Sequence, residues 1–108
     1  MAIDNSNVID FIGIDEKNNE VILTISDHLD WQLKIDHLLK LQAKINAYVD
    51  FIESGEIYEK YAKAIDREVV IEIHGKYELP MDSDVSKFYD KVKDTLKEIS
   101  IAIRFNKL

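Results

Sequence analysis

One stretch of this chain constrains its fold more than any other. Between residues 68 and 79, Val69, Ile71, Ile73, Gly75, Tyr77 and Leu79 alternate with Glu68, Glu72, His74, Lys76 and Glu78. A period of two belongs to a β-strand with one buried and one wet face, because successive side chains point to opposite sides of the sheet. The strand is read from about Arg67 to Leu79, and Pro80 ends it because proline has no N–H to give to a ladder.

Other elements follow from local pattern. Two β-branched and aromatic runs, residues 8–14 and 20–26, flank the polar Asp15-Glu16-Lys17-Asn18-Asn19. Asparagine tolerates left-handed turn conformations, so these runs predict a hairpin with a five-residue loop. The period then changes. Trp31, Ile35, Leu38, Gln42, Ile45, Val49 and Ile52 recur at steps of three and four, widened by Leu39, Leu41 and Tyr48, which predicts an amphipathic helix over 31–54. Asp30 is placed to cap it and Gly55 to stop it. A further helical piece is expected over 56–64, with Ile57, Tyr61 and Ile65 inward.

Beyond Pro80, Asp82-Ser83-Asp84 opens a helix with acids where the helix dipole favours them. Its apolar stripe is Val85, Phe88, Tyr89, Val92, Leu96 and Ile99, and Asp84/Lys87, Asp90/Lys93 and Asp94/Lys97 are acid-then-base pairs on its wet side. Ile101 to Phe105 reads as a last strand. The order is ββα(α)βαβ, and the final βαβ unit makes the third and fourth strands parallel. One apolar stripe per main helix predicts an α+β fold: a two-layer domain spanning 1–108, with a four-stranded mixed sheet and both main helices on one face.

Composition narrows the function. Hydrophobic residues make up 46% and charged residues 32% of the 108, as in a soluble globular domain. There is no cysteine, which excludes disulfides, thiolate catalysis and cysteine-ligated metal. No segment approaches the roughly 20 apolar residues of a membrane span, and no basic-then-apolar leader opens the chain, so the expected location is the cytoplasm. Net charge is −7, and the first 30 residues hold seven acids against Lys17 alone. Such a chain repels phosphate backbones and anionic lipid, so neither nucleic acid nor membrane is an expected partner.

Few constellations carry chemistry. His28 and His37 with Asp27 and Asp30 offer ligand types for a divalent ion, but their spacing matches no metal motif, and the reading preferred is a capping Asp with two surface histidines. Ser26-Asp27-His28 has the residue types of a hydrolytic triad without its usual dispersal over separate elements. His74 reads as a partner for a cross-strand polar group. Gly13, Gly55 and Gly75 are isolated, so no phosphate-cradling loop is present, and no cofactor is expected. Trp31 reads as a packing anchor. For a small molecule, the first candidates are Trp31, Gln42, Asn46 and Tyr48, since Gln42 interrupts an apolar stripe and a buried amide must find a partner.

The first strand is apolar on both sides, with Val8, Ile12 and Ile14 on one and Ile9 and Phe11 on the other. With Ile22, Val70 and Ala102 also outward, Ile9, Phe11, Ile22 and Val70 become candidate interface residues, and a second copy of the chain the simplest partner.

The run Val8-x-Asp10-Phe11-Ile12, the return ending Ser26-Asp27, Trp31, and His37-Leu38-Leu39-x-Leu41-Gln42-x-Lys44-Ile45-Asn46-Ala47-Tyr48 together resemble a family of small uncharacterised bacterial proteins. The resemblance implies a bacterial, single-domain protein and assigns no activity or site residue. The sequence is therefore read as a non-catalytic protein acting through self-association or another protein. Its alternatives are a small ligand-binding domain or enzyme using the Asp27–Trp31 corner, and an acidic immunity or inhibitor protein covering a basic target.

Overall fold

The structure, a computed structural model, describes Ile3 and residues 9–108. Val8, assigned above to the first strand, lies outside the described residues. Strand β1 (Phe11–Asp15) and strand β2 (Glu20–Asp27) form the hairpin. Its turn is one residue shorter than expected, because Asp15 still pairs with Glu20. Asn18 donates its backbone and side-chain N–H groups to the Asp15 carboxylate, holding that carboxyl below its usual range, and Asn19 takes φ 55°.

Helix α1 (Lys34–Glu53) follows, then a short helix α2 (Glu56–Lys60), a 3-10 turn at Ala62–Ala64 and strand β3 (Glu68–Gly75). Helix α3 (Ser83–Glu98) and strand β4 (Ile101–Lys107) complete the chain. The sheet order is β1-β2-β3-β4, antiparallel at β1-β2 and parallel at β2-β3 and β3-β4. Two successive crossovers of the same hand, advancing in one direction, bring their helices to the same side. Accordingly Leu41, Ile45 and Tyr48 of α1 and Val92 and Leu96 of α3 share one buried cluster with inward strand residues such as Leu23, Ile71 and Ile103. This is the expected mixed-sheet α+β architecture.

Several boundaries differ from expectation for physical reasons. α1 begins three residues late: Leu33 is its cap residue, and Asp30 instead accepts the Gln32 N–H in a turn of its own. Gly55, at φ 82°, ends the helix as expected, since that left-handed conformation strains any residue with a Cβ. Tyr61 and Ile65 are exposed, because α2 stops at Lys60 and the 3-10 turn redirects the chain, leaving Ile57 and Ala64 as the buried residues there. β3 stops at Gly75, short of Leu79, and Tyr77 is exposed. A Cβ at Gly75 would stand 2.7 Å from the Phe105 ring, so glycine here admits an aromatic from β4. Asp82 caps α3 by accepting the N–H groups of Asp84 and Val85. The carboxylate of Asp84 meets Lys34 of α1 at 2.9 Å rather than a lysine of its own helix.

Candidate functional site

In open sheets with parallel strands, the carboxyl ends of the strands are where ligands bind. Here that end is occupied by the Asp27–Trp31 corner. Asp27, the last residue of β2, points inward. Its Oδ2 lies 2.5 Å from Nε2 of His37, and its Oδ1 accepts the Leu29 N–H. His37 comes from the first turn of α1, and its Nδ1 donates to the Asp30 carbonyl at 2.9 Å. The Trp31 ring stacks on the imidazole with centroids 3.8 Å apart.

This dyad has the partners of a general base but not the access. Both ring nitrogens are used within the chain, and the two side chains are only 2% and 3% exposed. A catalytic imidazole needs one nitrogen within reach of a substrate proton. His37 is thus a buried tie between α1 and β2, not the surface histidine read from the sequence. Among the described residues no three His, Asp or Glu side chains gather to hold a metal ion. The Tyr89 hydroxyl is buried nearby and meets no hydrogen-bond partner among the described residues; burial, then the charge of Asp27, pushes its ionisation well above the ordinary tyrosine range.

A second buried group clips the start of β1 to the core. Lys44, wholly buried on α1, donates to Asp10 Oδ1 at 2.9 Å, while Asp10 Oδ2 accepts the Ser26 N–H. Tyr48, one turn along, donates to the Thr24 carbonyl and accepts the Asp10 N–H, and burial raises its ionisation beyond the usual tyrosine range. Periodicity missed both groups. Lys44 and His37 lie seven residues apart, on the face that also carries Leu41 and Tyr48, and that spacing was their one signal.

The ligand candidates are not brought together. Trp31 is stacked on His37, Gln42 donates to Asn46 on the outer side of α1, and Tyr48 points into the core. The interface candidates also separate. Ile9 precedes β1, so strand alternation does not govern it, and it packs against the core instead of facing outward. Phe11 is 65% exposed on the helix-free face, its ring lying 3.2 Å from where a Cβ of Gly13 would be. Ile22 is half-buried beside it. Val70 shares that face but is wholly buried. It stands in register between Ile22 and Ala102, and Arg104 reaches past it to Glu20 at 3.0 Å while also meeting Glu72 at 3.4 Å. His74 bonds Glu72 on its own strand at 2.6 Å, rather than a cross-strand group.

An α+β domain whose buried histidine and lysine are both consumed by internal carboxylates is the class that these observations define. No helix of the described residues is long and apolar enough to cross a membrane. The chain belongs to DUF6572, a family of unknown function whose model matches residues 1–108. No curated protein and no solved structure matches it.

Proposed function

We propose that the protein is a non-catalytic interaction domain of the bacterial cytoplasm, and that it associates with a second copy of itself through the helix-free face of the sheet. The observation that carries this reading is Phe11, two-thirds exposed beside the half-buried Ile22. A shallow depression of about 620 Å³ runs past both and is bordered by Ser26, Glu72 and His74. An apolar centre with a polar border is the usual anatomy of an interface.

Charge selects the occupant. On a chain of net charge −7, like charges oppose self-association over most of the surface. On this face Glu20 and Glu72 are already paired with Arg104, and Glu72 with His74, which lowers the repulsion between two copies there. The same acidity disfavours nucleic acid. The closed Asp27–His37 pair supports the non-catalytic part of the reading.

Sedimentation equilibrium over a wide concentration range tests it. The wild type is expected to self-associate, and Phe11→Glu and Ile22→Glu to give monomers with native circular dichroism. A wild type that stays monomeric at high concentration, or an oligomer untouched by either change, overturns the proposal.

A further inference from the structure

The carboxyl ends of the parallel strands are filled by the Asp27–His37 pair, and the opposite end of the sheet is open. There α1 and α3 both finish over the starts of β3 and β4, and a cleft of about 1180 Å³ is bordered by the two helix ends and the two strand starts. Its floor is made by the inward residues Val69, Ile101 and Ile103, joined by Ile52 from the last turn of α1. Two larger side chains, Tyr58 of α2 and Ile99 just after α3, also border it and are 36% and 38% exposed. An apolar floor between helices, with a few polar groups at its border, is the usual make-up of a small-molecule site. None of the ligand candidates read from the sequence borders this cleft.

Charge identifies the occupant. Acids outnumber bases in this chain by 21 to 14, so a base has many carboxylates to choose from. Arg67, Lys93 and Lys97 all border the cleft, yet the ion pairs of the described residues leave all three without a carboxylate. The Asp90/Lys93 and Asp94/Lys97 pairs expected from their spacing do not form, and the two lysines, one turn apart on α3, turn to the cleft instead. Arg67 is fixed in place by its Nε, which donates to the Lys63 carbonyl at 2.7 Å, and by a terminal N–H that reaches Asn19 Oδ1 at 3.4 Å.

Three acids share the border, but Glu68 sends its side chain to the helix-free face, because Val69 beside it points inward. Glu53 and Asp66 are left against three cations, so the cleft carries an excess of one positive charge on a protein of net charge −7. Cations above an apolar floor act on a ligand more strongly than the same charges in open water. The backbone is also unusual here. Asn19, Asp66 and Ser100, the three non-glycine residues with left-handed φ among those described, all border this one cleft. Such conformations gather where a site's geometry is held against local preference.

We infer that this cleft binds a small organic anion with an apolar body and one acidic head. The body lies on the floor of Val69, Ile101 and Ile103 and covers Tyr58 and Ile99. Lys93 and Lys97 hold the head by charge-assisted hydrogen bonds, with Arg67 adding to the field of the same cleft. Carboxylate and phosphate heads both accept such bonds.

The test uses the full chain and two fluorescent probes with the same ring body: anilinonaphthalene sulfonate, which carries an anionic head, and phenylnaphthylamine, which carries none. The sulfonate is expected to bind at one site per chain, at least about tenfold more tightly than the neutral probe, with affinity falling as salt is raised. Lys93→Gln combined with Lys97→Gln should weaken the sulfonate about tenfold and leave the neutral probe unchanged, whereas Tyr58→Ala should weaken both. All three positions are exposed, so the melting temperature should not change. Decanoate and decyl phosphate, competed against the bound sulfonate, then tell a carboxylate head from a phosphate one by which displaces it. No sulfonate binding, equal affinity for the two probes, full affinity in the double lysine variant, or displacement by neither competitor overturns the inference. So does loss of the sulfonate in Phe11→Glu, which would place the probe on the helix-free face instead.

Discussion

Lys44 places its ammonium 2.9 Å from Asp10 with no exposure to solvent, joining the middle of α1 to the residue just before β1. A buried ammonium is costly unless its partner remains, and removing one member of such a pair leaves the other charge stranded. The pair therefore sets where the chain enters the sheet, together with the Tyr48 hydroxyl that receives the Asp10 N–H.

Lys44→Met is expected to destabilise the fold by about 3 kcal/mol, because it leaves the Asp10 carboxylate largely buried without its cation. Asp10→Asn in the same chain keeps an acceptor for the Ser26 N–H while removing the stranded charge. The double variant should then be more stable than Lys44→Met alone. Urea denaturation of the wild type, both single variants and the double variant measures the coupling. Additive losses would show that the two side chains do not act as a pair.

His37→Leu should cost about 3 kcal/mol for the same reason, since Asp27 would keep the Leu29 N–H but lose its imidazole. A second signal is available because Trp31 is the chain's sole tryptophan and stacks on that ring. Its emission maximum should move to longer wavelength as the indole loses its cover. A variant with native stability and native emission would show that neither contact persists in solution.

The element order and the mixed sheet were legible because they rest on alternation and on helix-length crossovers, which hydrophobicity reports directly; the strand order and the parallel pairing of β2 with β3 were not read. The inner face of α1 was not legible either. Reading His37 as a surface histidine and leaving Lys44 out of the stripe drew that stripe through Ile35 and Leu38, whereas the structure buries the two basic side chains and turns Ile35 and Leu39 outward. Periodicity measures apolar character, and a base neutralised by a buried carboxylate is indistinguishable from a solvated one until its partner is placed. Val70 shows the converse: its outward register was readable, but the Arg104–Glu20 contact across it depends on side chains two strands apart. The Asp27–Trp31 corner was noticed for its residue types, yet only geometry shows that both nitrogens of His37 are spent.

The bridge from α1 to the cap of α3 gives a defined pH window. Hydrogen bonding to Lys34, opposed by partial desolvation and aided by the N–H groups of Asp84 and Val85, holds the Asp82 carboxyl below its ordinary 3.8. Asp84 and Asp82 raise Lys34 above 10.5. A depressed carboxyl contributes stability above its unfolded value and loses it as the pH falls through the folded one. A raised ammonium contributes below its unfolded value and loses it as the pH rises through the folded one. The melting temperature of Lys34→Gln should therefore lie below that of wild type by a constant few degrees between about pH 5 and 10, with the gap closing below about pH 4. A gap that persists at pH 2 would assign the loss to packing of the lysine stem.

The Tyr89 hydroxyl is desolvated, meets no donor or acceptor among the described residues, and stands in the field of Asp27. A buried hydroxyl without a partner costs roughly 1–3 kcal/mol relative to one that is bonded. The ring itself packs edge-on against Phe105 and Phe88, contacts that phenylalanine reproduces. Tyr89→Phe should for this reason raise stability by about 1 kcal/mol in urea denaturation, with the m-value unchanged because the buried surface is the same. Tyr89→Ala is expected to do the opposite, losing about 3 kcal/mol or more with the ring. A Tyr89→Phe variant less stable than wild type would show that the hydroxyl is satisfied in solution and contributes to the carboxyl end of the strands.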